Sequence, residues 1–265
     1  MRSHVIYSQD GHEWIVIGRD TEKKEEIVDT NQYLIVSGNQ GMILDPGGFE
    51  IFSSVIGEVT KYISVNNIKI IFSSHQDPDI ASSLALWVDI IKDVDTYCWW
   101  GWQGFLAHFG MGNAIKLIGI PDEGMEVQIG TSNSFQYFVP AHYCHSSGNY
   151  SVFDPKAKIL FSGDIGAALL PSDYTDLFVT NFDSHIQFME GFHKRWMSST
   201  KDLRAWVARA RALNPSMICP QHGAIFEGEN VGRFLNWLEA LEVGHWNRGQ
   251  EDTNVNNCVW MKWKK

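Results

Sequence analysis

The chain has 265 residues, long enough for one large or two small domains, and its hydrophobic content of 44% excludes a largely disordered protein. The formal net charge of −10 disfavours a nucleic-acid partner or an anionic membrane surface. The four cysteines form no CxxC pair, and no apolar segment suits a signal peptide or a membrane span, so we expect a cytoplasmic protein without a zinc–thiolate cluster.

The first third of the chain predicts strands joined by polar turns, followed by a helix and a buried strand. Apolar and polar residues alternate over Glu13–Arg19, which indicates a strand. Two further strands, Gln32–Ser37 and Gly41–Leu44, are separated by a short polar turn. The apolar residues of Phe52–Val65 have helical spacing, and the apolar run Ile68–Phe72 is typical of a buried strand.

The rest of the chain repeats this order of strands and helices. The predicted elements are a helix over 84–91, strands over 134–140, 149–153, 158–161 and 217–220, and helices over 188–212 and 231–243. Strands followed by helices in both halves indicate an α/β fold in which helices cover two β-rich layers. Because no linker divides the halves, we expect a single domain over 1–265, with 246–265 as a C-terminal tail.

The loop after the predicted strand Ile68–Phe72 carries the most chemical information. His75, Asp77 and Asp79 alternate in this loop, and Pro78 favours an extended conformation for Asp77. Alternate side chains of an extended segment point to the same side, so the loop predicts a metal site with nitrogen and oxygen ligands. The alternative is a solvated turn, because Asp and Pro are common turn residues.

Three further polar residues, His145, Asp164 and His222, follow the ends of apolar strands. In layered α/β folds the carboxyl ends of strands form one rim, where binding sites are commonly built. Each residue alone has a plainer interpretation, since a loop histidine is usually a surface or capping residue and Asp164 suits a turn or a helix N-cap. Four strand ends that all carry His or Asp next to Gly, Ser or Pro together indicate a shared metal site.

These motifs occur in an order that resembles the metallo-β-lactamase fold superfamily, over roughly Ile15 to Val243: His75-x-Asp77-x-Asp79, then His145, Ser162-Gly163-Asp164 and His222-Gly223. The resemblance implies a four-layer αββα fold. The usual zinc-hydrolase pattern in that superfamily is His-x-His-x-Asp-His, whereas this chain has Asp77 in place of the second His and Ile80 in place of the last. A carboxylate at the middle position is similar to the di-iron domain of flavodiiron proteins. The chain as a whole most resembles stand-alone oxygen-binding di-iron proteins, which lack the flavodoxin module.

The resemblance implies a role for each polar residue. Metal one would take His75, Asp77 and His145, metal two would take Asp79 and His222, and Asp164 would bridge both. Asp45 and His142 would orient the ligand imidazoles through hydrogen bonds. Asp45 could equally have a structural role in the turn before Pro46. His142 could replace His145 as the ligand, although the spacing of His145 to Gly148 matches the His-x-x-Gly pattern of the superfamily.

The donor set and one substitution bear on the metal and its ligand. Three imidazoles and three carboxylates without a thiolate favour iron or manganese, with zinc as an alternative because it binds most such sites tightly. The resemblance implies two iron ions with an oxo, hydroxo or peroxo bridge. Ile80 cannot bind a metal, which leaves an open position on metal two for dioxygen or nitric oxide. Four residues are candidates for an aromatic wall beside it: Trp99, Trp100, Trp102 and Phe105.

Three functions are compatible with these residues. The resemblance implies a protein that binds dioxygen as an oxygen or redox sensor, or that reduces it slowly. The alternative is a zinc hydrolase in which a bridging hydroxide attacks an ester, amide or phosphodiester, although Asp77 and Ile80 count against it. The third is a binding or scaffold protein in which the metals serve only stability.

The resemblance also implies partners. We expect no flavin domain in the chain, which ends where flavodoxin would begin. A reductase would therefore need an external electron donor, and a sensor would need a signalling protein. The family habit implies a homodimer, and we expect neither nucleic acid nor membrane as a partner.

Overall fold

The computed structural model describes residues 1–18, 27–91, 93–110, 116–130 and 134–244. Within these ranges two β-sheets pack face to face, and helices cover the outer face of each sheet. The expected α/β fold with four αββα layers is therefore confirmed. The predicted tail over 246–265 lies outside the described residues. None of the described helices is both long and apolar enough to cross a membrane.

The first sheet contains seven described strands in chain order: β1 (Arg2–Gln9), β2 (His12–Gly18), β3 (Gln32–Ser37), β4 (Gln40–Leu44), β5 (Ile68–Phe72), β6 (Asp95–Trp99) and β7 (Lys116–Ile120). Strands β1 to β4 are antiparallel, and β4 to β7 are parallel. Parallel neighbours need crossover connections. The described parts of these connections contain the α-helices α1 (Phe52–Val59), α2 (Pro78–Ala81), α3 (Leu84–Ile90) and α4 (Gln103–Leu106). The carboxyl ends of β4 and β5 consequently lie at the same edge.

The second sheet has the described strand order β13-β12-β11-β10-β9-β8: β8 (Met125–Gln128), β9 (Phe135–Pro140), β10 (Tyr150–Asp154), β11 (Ile159–Gly163), β12 (Met217–Pro220) and β13 (Phe226–Glu227). Its strands are antiparallel except β11 and β12, which are parallel. Helices α5 (Phe182–Trp196) and α6 (Thr200–Leu213) connect that parallel pair, and α7 (Glu229–Ala240) follows β13. The ends of β11 and β12 therefore also lie at one edge.

Aromatic residues fill the space between the two sheets. Phe72 on β5 stacks on Phe138 on β9 with ring centroids 4.9 Å apart, and both rings are buried. Trp14, Tyr33 and Phe161 belong to the same cluster. Large aromatic rings bury much apolar surface and interlock in fixed geometries, so this core fixes the relative position of the sheets whose strand ends carry the polar residues.

Two predicted helices differ from the observed ones. Helix α1 ends at Val59 instead of continuing to residue 65, and the chain enters a turn in which Thr60 Oγ1 donates to the carbonyl of Gly57. The helical stretch predicted over 188–212 is interrupted between α5 and α6. Ser199 is the N-cap of α6, where its side chain accepts a hydrogen bond from the Asp202 N–H and starts the new helix. This break places Trp196 at the exposed end of α5.

Candidate metal centre

The loop after β5 brings three polar side chains to the edge of the first sheet. The sequence predicts an extended loop through Asp79, but Pro78 begins the short helix α2 and Asp79 lies in its first turn. The physical reason is that proline suits the first helical position, where its missing N–H costs nothing. Asp77 keeps the extended conformation as the N-cap residue, with φ −66° and ψ 149°. The change of direction after Asp77 sends Asp77 and Asp79 toward different histidines.

The other three residues come from the second sheet. His145 lies in the loop after β9, Asp164 directly follows β11, and His222 lies two residues after β12. His145 has a φ of +84°, which is rare for a residue with a side chain and here turns the loop. The Tyr150 N–H donates to the carbonyl of Ser74 across the two sheets at 3.1 Å, so the loops of both sheets meet at one edge.

One group of side chains is formed by two histidines and two aspartates. Nε2 of His145 lies 3.0 Å from Oδ2 of Asp77 and 3.5 Å from Oδ2 of Asp164. Nε2 of His75 lies 3.6 Å and 3.8 Å from the same two oxygen atoms. One ligand atom from each of His75, His145 and Asp164 fits within 4.8 Å of the others. The four side chains of this group are those that the resemblance assigns to metal one and to its bridge.

The second group shares Asp164. Nε2 of His222 lies 3.4 Å from Oδ2 of Asp79 and 3.5 Å from Oδ1 of Asp164. Asp164 thus offers one oxygen atom to each group. The structure brings all six predicted ligands together, and their roles as ligands stay a prediction.

Several of these atoms are buried without a hydrogen bond. Nε2 of His75 and Oδ1 of Asp164 have no hydrogen-bond partner among the described residues, although buried polar atoms are normally paired. These nitrogen and oxygen atoms come from loops of both sheets, and bound cations would satisfy their unpaired lone pairs. The donor set therefore fits a dinuclear metal site.

The electrostatics of the cluster follow from opposite charges at short range. Burial favours the neutral form of Asp164, but the charges of His75 and His222 hold its pKa well below the usual range. Burial likewise opposes the charged forms of His75 and His222, but Asp164 and the neighbouring aspartates raise the pKa of each imidazole to about 9. In a metal-free protein, protons on these imidazoles would therefore balance the negative charge of the aspartates.

Sequence and structure comparisons identify the family. Residues 28–223 match the family described as "ODP family beta lactamase". The chain belongs to the ODP family. The resemblance to the di-iron branch of the metallo-β-lactamase fold is thereby confirmed. Comparison with the curated protein sequences gave no match.

Two solved ODP structures cover almost the whole chain. The structure described as the "Peroxy diiron species of chemotaxis sensor ODP" is 41% identical, covers 92% of this chain and 97% of that chain, and has a TM-score of 0.81. The apo state of the chemotaxis sensor ODP from T. denticola is 42% identical, covers 91% of this chain and 95% of that chain, and has a TM-score of 0.79. A variant of the flavodiiron protein from Thermotoga maritima is 19% identical, covers 89% of this chain and 60% of that chain, and has a TM-score of 0.74, a likeness of fold.

In this ODP-family chain Asp45 is connected to the cluster indirectly. The buried Asp45 follows β4 and accepts hydrogen bonds from the N–H of Ser74 at 2.7 Å and from its hydroxyl at 2.6 Å. Ser74 Oγ lies 3.0 Å from Nδ1 of His75. Burial raises the pKa of Asp45 to about 7. The expected hydrogen bond from Asp45 to an imidazole therefore passes through Ser74, which the sequence analysis did not single out.

His142 lies beside the cluster. Its Nε2 is 2.9 Å from the backbone oxygen of Asp122, and its ring packs against Trp99 and Tyr150. It makes no hydrogen bond to a ligand imidazole within the described residues. The expectation that His142 orients an imidazole or replaces His145 gains no support from this position.

Two residues of the predicted aromatic wall contact the loop that carries His145. The indole N–H of Trp102 donates to the carbonyl of Gly148 at 2.7 Å, and the ring of Trp99 lies against the same glycine. Gly148 is three residues after His145, so these indoles hold the loop that presents this imidazole.

The aromatic rings next to His145 and His222 come from α5. Phe192 lies 6.0 Å from the ring of His145 and 6.1 Å from that of His222, and Trp196 lies 5.5 Å from His145. The sequence analysis did not identify Phe192 or Trp196 as site residues. Their spacing of four positions, which places two side chains on one face of a helix, was the available signal.

Proposed function

We propose that the chain is a non-haem di-iron protein that binds dioxygen and acts as an oxygen or redox sensor, with slow oxygen reduction as the related enzymatic activity. The observation that carries the proposal is the shared carboxylate of Asp164. It faces His75 and His145 with one oxygen atom and His222 with the other. Membership of the ODP family supports iron and dioxygen, because the 41% identical structure is of a peroxy di-iron species in a chemotaxis sensor.

The proposal assigns the ligands to two iron ions. His75, Asp77 and His145 would hold the first, Asp79 and His222 would hold the second, and Asp164 would bridge them. The absence of thiolate from this described set favours iron or manganese over structural zinc. When bound, two ferrous ions supply the electrons that a dioxygen ligand accepts.

Apolar side chains of the chain shape access to the site. Ile80 is fully buried in α2 at the position where the zinc hydrolases have a histidine, and its side chain offers no ligand atom. The second metal position therefore has fewer protein ligands than the first. Phe192 packs against both His145 and His222 and limits the access of water to their rings.

Sensing and catalysis need different partners in this scheme. A reductase would need an external electron donor for every turnover, whereas a sensor needs only a signalling partner that distinguishes two states of the site. The proposed partners are a signalling protein and, as the family resemblance implies, a second copy of the chain in a homodimer. Nitric oxide remains the alternative ligand to be compared with dioxygen.

Anaerobic purification followed by metal analysis tests the proposal. We expect two iron ions per chain after loading with ferrous iron, and a charge-transfer band in the visible spectrum on exposure to air. His222→Ala should remove one iron, whereas His108→Ala, which changes an exposed histidine outside the site, should retain both. Zinc as the only bound metal, together with esterase turnover, would contradict the proposal and favour the hydrolase.

A further inference from the structure

Ser74 joins a buried carboxylate to one ligand imidazole. Its hydroxyl donates to Oδ2 of Asp45 at 2.6 Å, and the same oxygen atom lies 3.0 Å from Nδ1 of His75. Its backbone N–H also donates to Oδ1 of Asp45. All three side chains are buried, so the hydrogen-bond chain from Asp45 through Ser74 to His75 is shielded from water.

The number of hydrogen atoms fixes the direction of this chain. Both oxygen atoms of Asp45 accept a hydrogen bond from Ser74, one from its N–H and one from its hydroxyl, as a carboxylate does. The single hydroxyl hydrogen of Ser74 then goes to Asp45, and Ser74 Oγ must accept from Nδ1–H of His75. An imidazole that binds a metal is neutral, so in the metal-bound protein His75 would carry its hydrogen on Nδ1 and offer Nε2 as the ligand atom. Nε2 of His75 is the atom that lies toward Asp77 and Asp164 and has no hydrogen-bond partner within the described residues.

The other two imidazoles of the cluster are supported differently. Nδ1 of His222 donates to the backbone oxygen of Asp29 at 2.7 Å, which is a neutral acceptor. Nδ1 of His145 is buried and has no hydrogen-bond partner in the described part of the chain. Within that part, His75 is the one of the three whose Nδ1 is linked to a carboxylate, through the hydroxyl of Ser74. A carboxylate behind an imidazole makes it a more basic ligand than a carbonyl does.

We propose that Ser74 is a positioning residue that transmits the charge of Asp45 to His75, fixes the Nδ1–H tautomer and strengthens His75 as a ligand of the first metal. The proposal rests on the proposed dinuclear site. It makes the two metal positions unequal, because the support for His75 acts on only one of them. The bound iron beside His75 should then have a lower reduction potential, since a more basic ligand stabilises the ferric state.

Two variants separate this role from simple packing. Ser74→Ala removes the connecting hydroxyl. Asp45→Asn keeps the shape, but its amide N–H₂ can donate to Ser74, so that the hydroxyl hydrogen turns toward His75 and forces the imidazole hydrogen onto Nε2. A purely structural Asp45 would tolerate this change. Ser73→Ala is the matched control, because Ser73 is an equally buried neighbour whose hydroxyl has no hydrogen-bond partner among the described residues.

The experiment is a titration of the full-length metal-free protein with Co²⁺ at pH 8, followed by visible absorption. For Ser74→Ala we expect about 10–100-fold weaker binding at one of the two positions, at least as large a loss for Asp45→Asn, and wild-type binding for Ser73→Ala. Thermal unfolding of each metal-free variant shows whether it is folded. With iron, Ser74→Ala should shift the reduction potential upward.

The outcomes distinguish this inference from the proposed function. If the wild type binds two metal ions and Ser74→Ala binds them equally well, the transmission of charge is wrong and the di-iron site stands. If Asp45→Asn binds as the wild type does while Ser74→Ala is impaired, Ser74 acts without Asp45 and the proposal is likewise overturned. A wild-type protein that binds neither Co²⁺ nor Fe²⁺ would overturn both this inference and the proposed function.

Discussion

Asp164 turns its Oδ1 atom toward His222, at 3.5 Å from Nε2, and leaves Oδ2 for the imidazoles of His75 and His145. One carboxylate directly after β11 therefore faces histidines on both sides. The remaining aspartates each serve one side, since Asp77 lies next to His145 and Asp79 next to His222. Under the proposed function, removal of the shared carboxylate should consequently have a different effect from removal of a terminal one.

Asp164→Asn should lose most of both metal ions, because the amide replaces the bridging charge. Asp79→Asn should lose only the ion held with His222. Metal content per chain, measured after anaerobic loading with ferrous iron and desalting, checks both expectations. Asp173→Asn, a change of an exposed aspartate outside the cluster, should keep the wild-type content. Retention of two ions by Asp164→Asn would contradict the bridging role.

The metal-free protein should become less stable as the pH rises from about 6.5 to about 9. The folded-state pKa of His75 and of His222 is raised to about 9 by Asp164, above the value of about 6.5 for an unfolded chain. A raised pKa stabilises the folded state fully below the unfolded value, and this contribution is lost as the pH passes the folded value. Because a tenfold change in proton affinity corresponds to about 1.4 kcal/mol, the total loss should be a few kcal/mol.

Urea unfolding of the metal-free protein at pH 6, 7.5 and 9 measures this loss. His222→Gln should reduce the pH dependence because it removes one of the two titrating imidazoles. Saturation with metal should abolish it, since the ions replace the protons. A free energy of unfolding that is flat or rises over this range would show that the imidazoles are not held in their charged forms.

The sequence predicts those parts of the molecule that depend on local patterns. Strands β3, β5 and β12 have the predicted bounds, because each is an apolar run bounded by turn residues. The six candidate ligands were found because each lies just beyond such a strand. The helical start at Pro78 was missed because proline is compatible with both an extended loop and a first helical turn.

Sequence patterns did not predict the contacts between segments that are distant in the chain. The hydrogen bonds of Ser74 join it to Asp45 on a neighbouring strand end, 29 positions earlier in the chain. Phe192 lies next to His145 and His222 only because α5 packs over the edge of the second sheet where β11 and β12 end. His142 and His145 share one loop, and the left-handed backbone at His145 helps to determine which imidazole enters the cluster. Spacing alone does not reveal such a backbone turn.

Gly148→Ala should weaken binding of the first metal. A Cβ at this position would lie 2.0 Å from the ring of Trp99, so either the ring or the loop carrying His145 must move. Overpacking of this kind costs about 1–3 kcal/mol. Metal affinity and thermal unfolding are the measurements. A second change, Trp99→Leu, should restore part of the metal affinity and part of the thermal stability, because the smaller side chain makes room for the new methyl group.

Gly57→Ala is the matched control for that substitution. Gly57 lies in α1, and a Cβ there would meet no heavy atom within 4 Å. Alanine in a helix is favoured over glycine by about 0.5–1 kcal/mol, so this variant should be slightly more stable and bind metal normally. An equal loss of metal binding in the two glycine variants would show that the contact between Trp99 and Gly148 does not matter.

A buried carboxylate at the other end of β10 ties the two sheets together. Oδ2 of Asp154 accepts hydrogen bonds from Nε1 of Trp14 at 2.6 Å and contacts Nε2 of His12, both on β2. Tyr150, at the opposite end of β10, is the residue whose N–H bonds to Ser74 beside the metal ligands. At about 3.3 Å per residue, this places Asp154 roughly 13 Å along the strand from that contact.

Asp154→Asn should therefore reduce stability without changing metal affinity. Burial opposes ionisation of Asp154, but the hydrogen bonds from His12 and Trp14 lower its pKa below the usual value. A lowered pKa stabilises the fold above the unfolded value, and the contribution is lost as the pH falls through the folded value. Urea unfolding should show a loss of about 2–4 kcal/mol at pH 7 that shrinks below about pH 4. Asp183→Asn, which breaks an exposed ion pair with Arg233, should cost less than about 1 kcal/mol. If the Asp154→Asn loss stays constant as the pH falls, the charge of this carboxylate is not what joins the sheets.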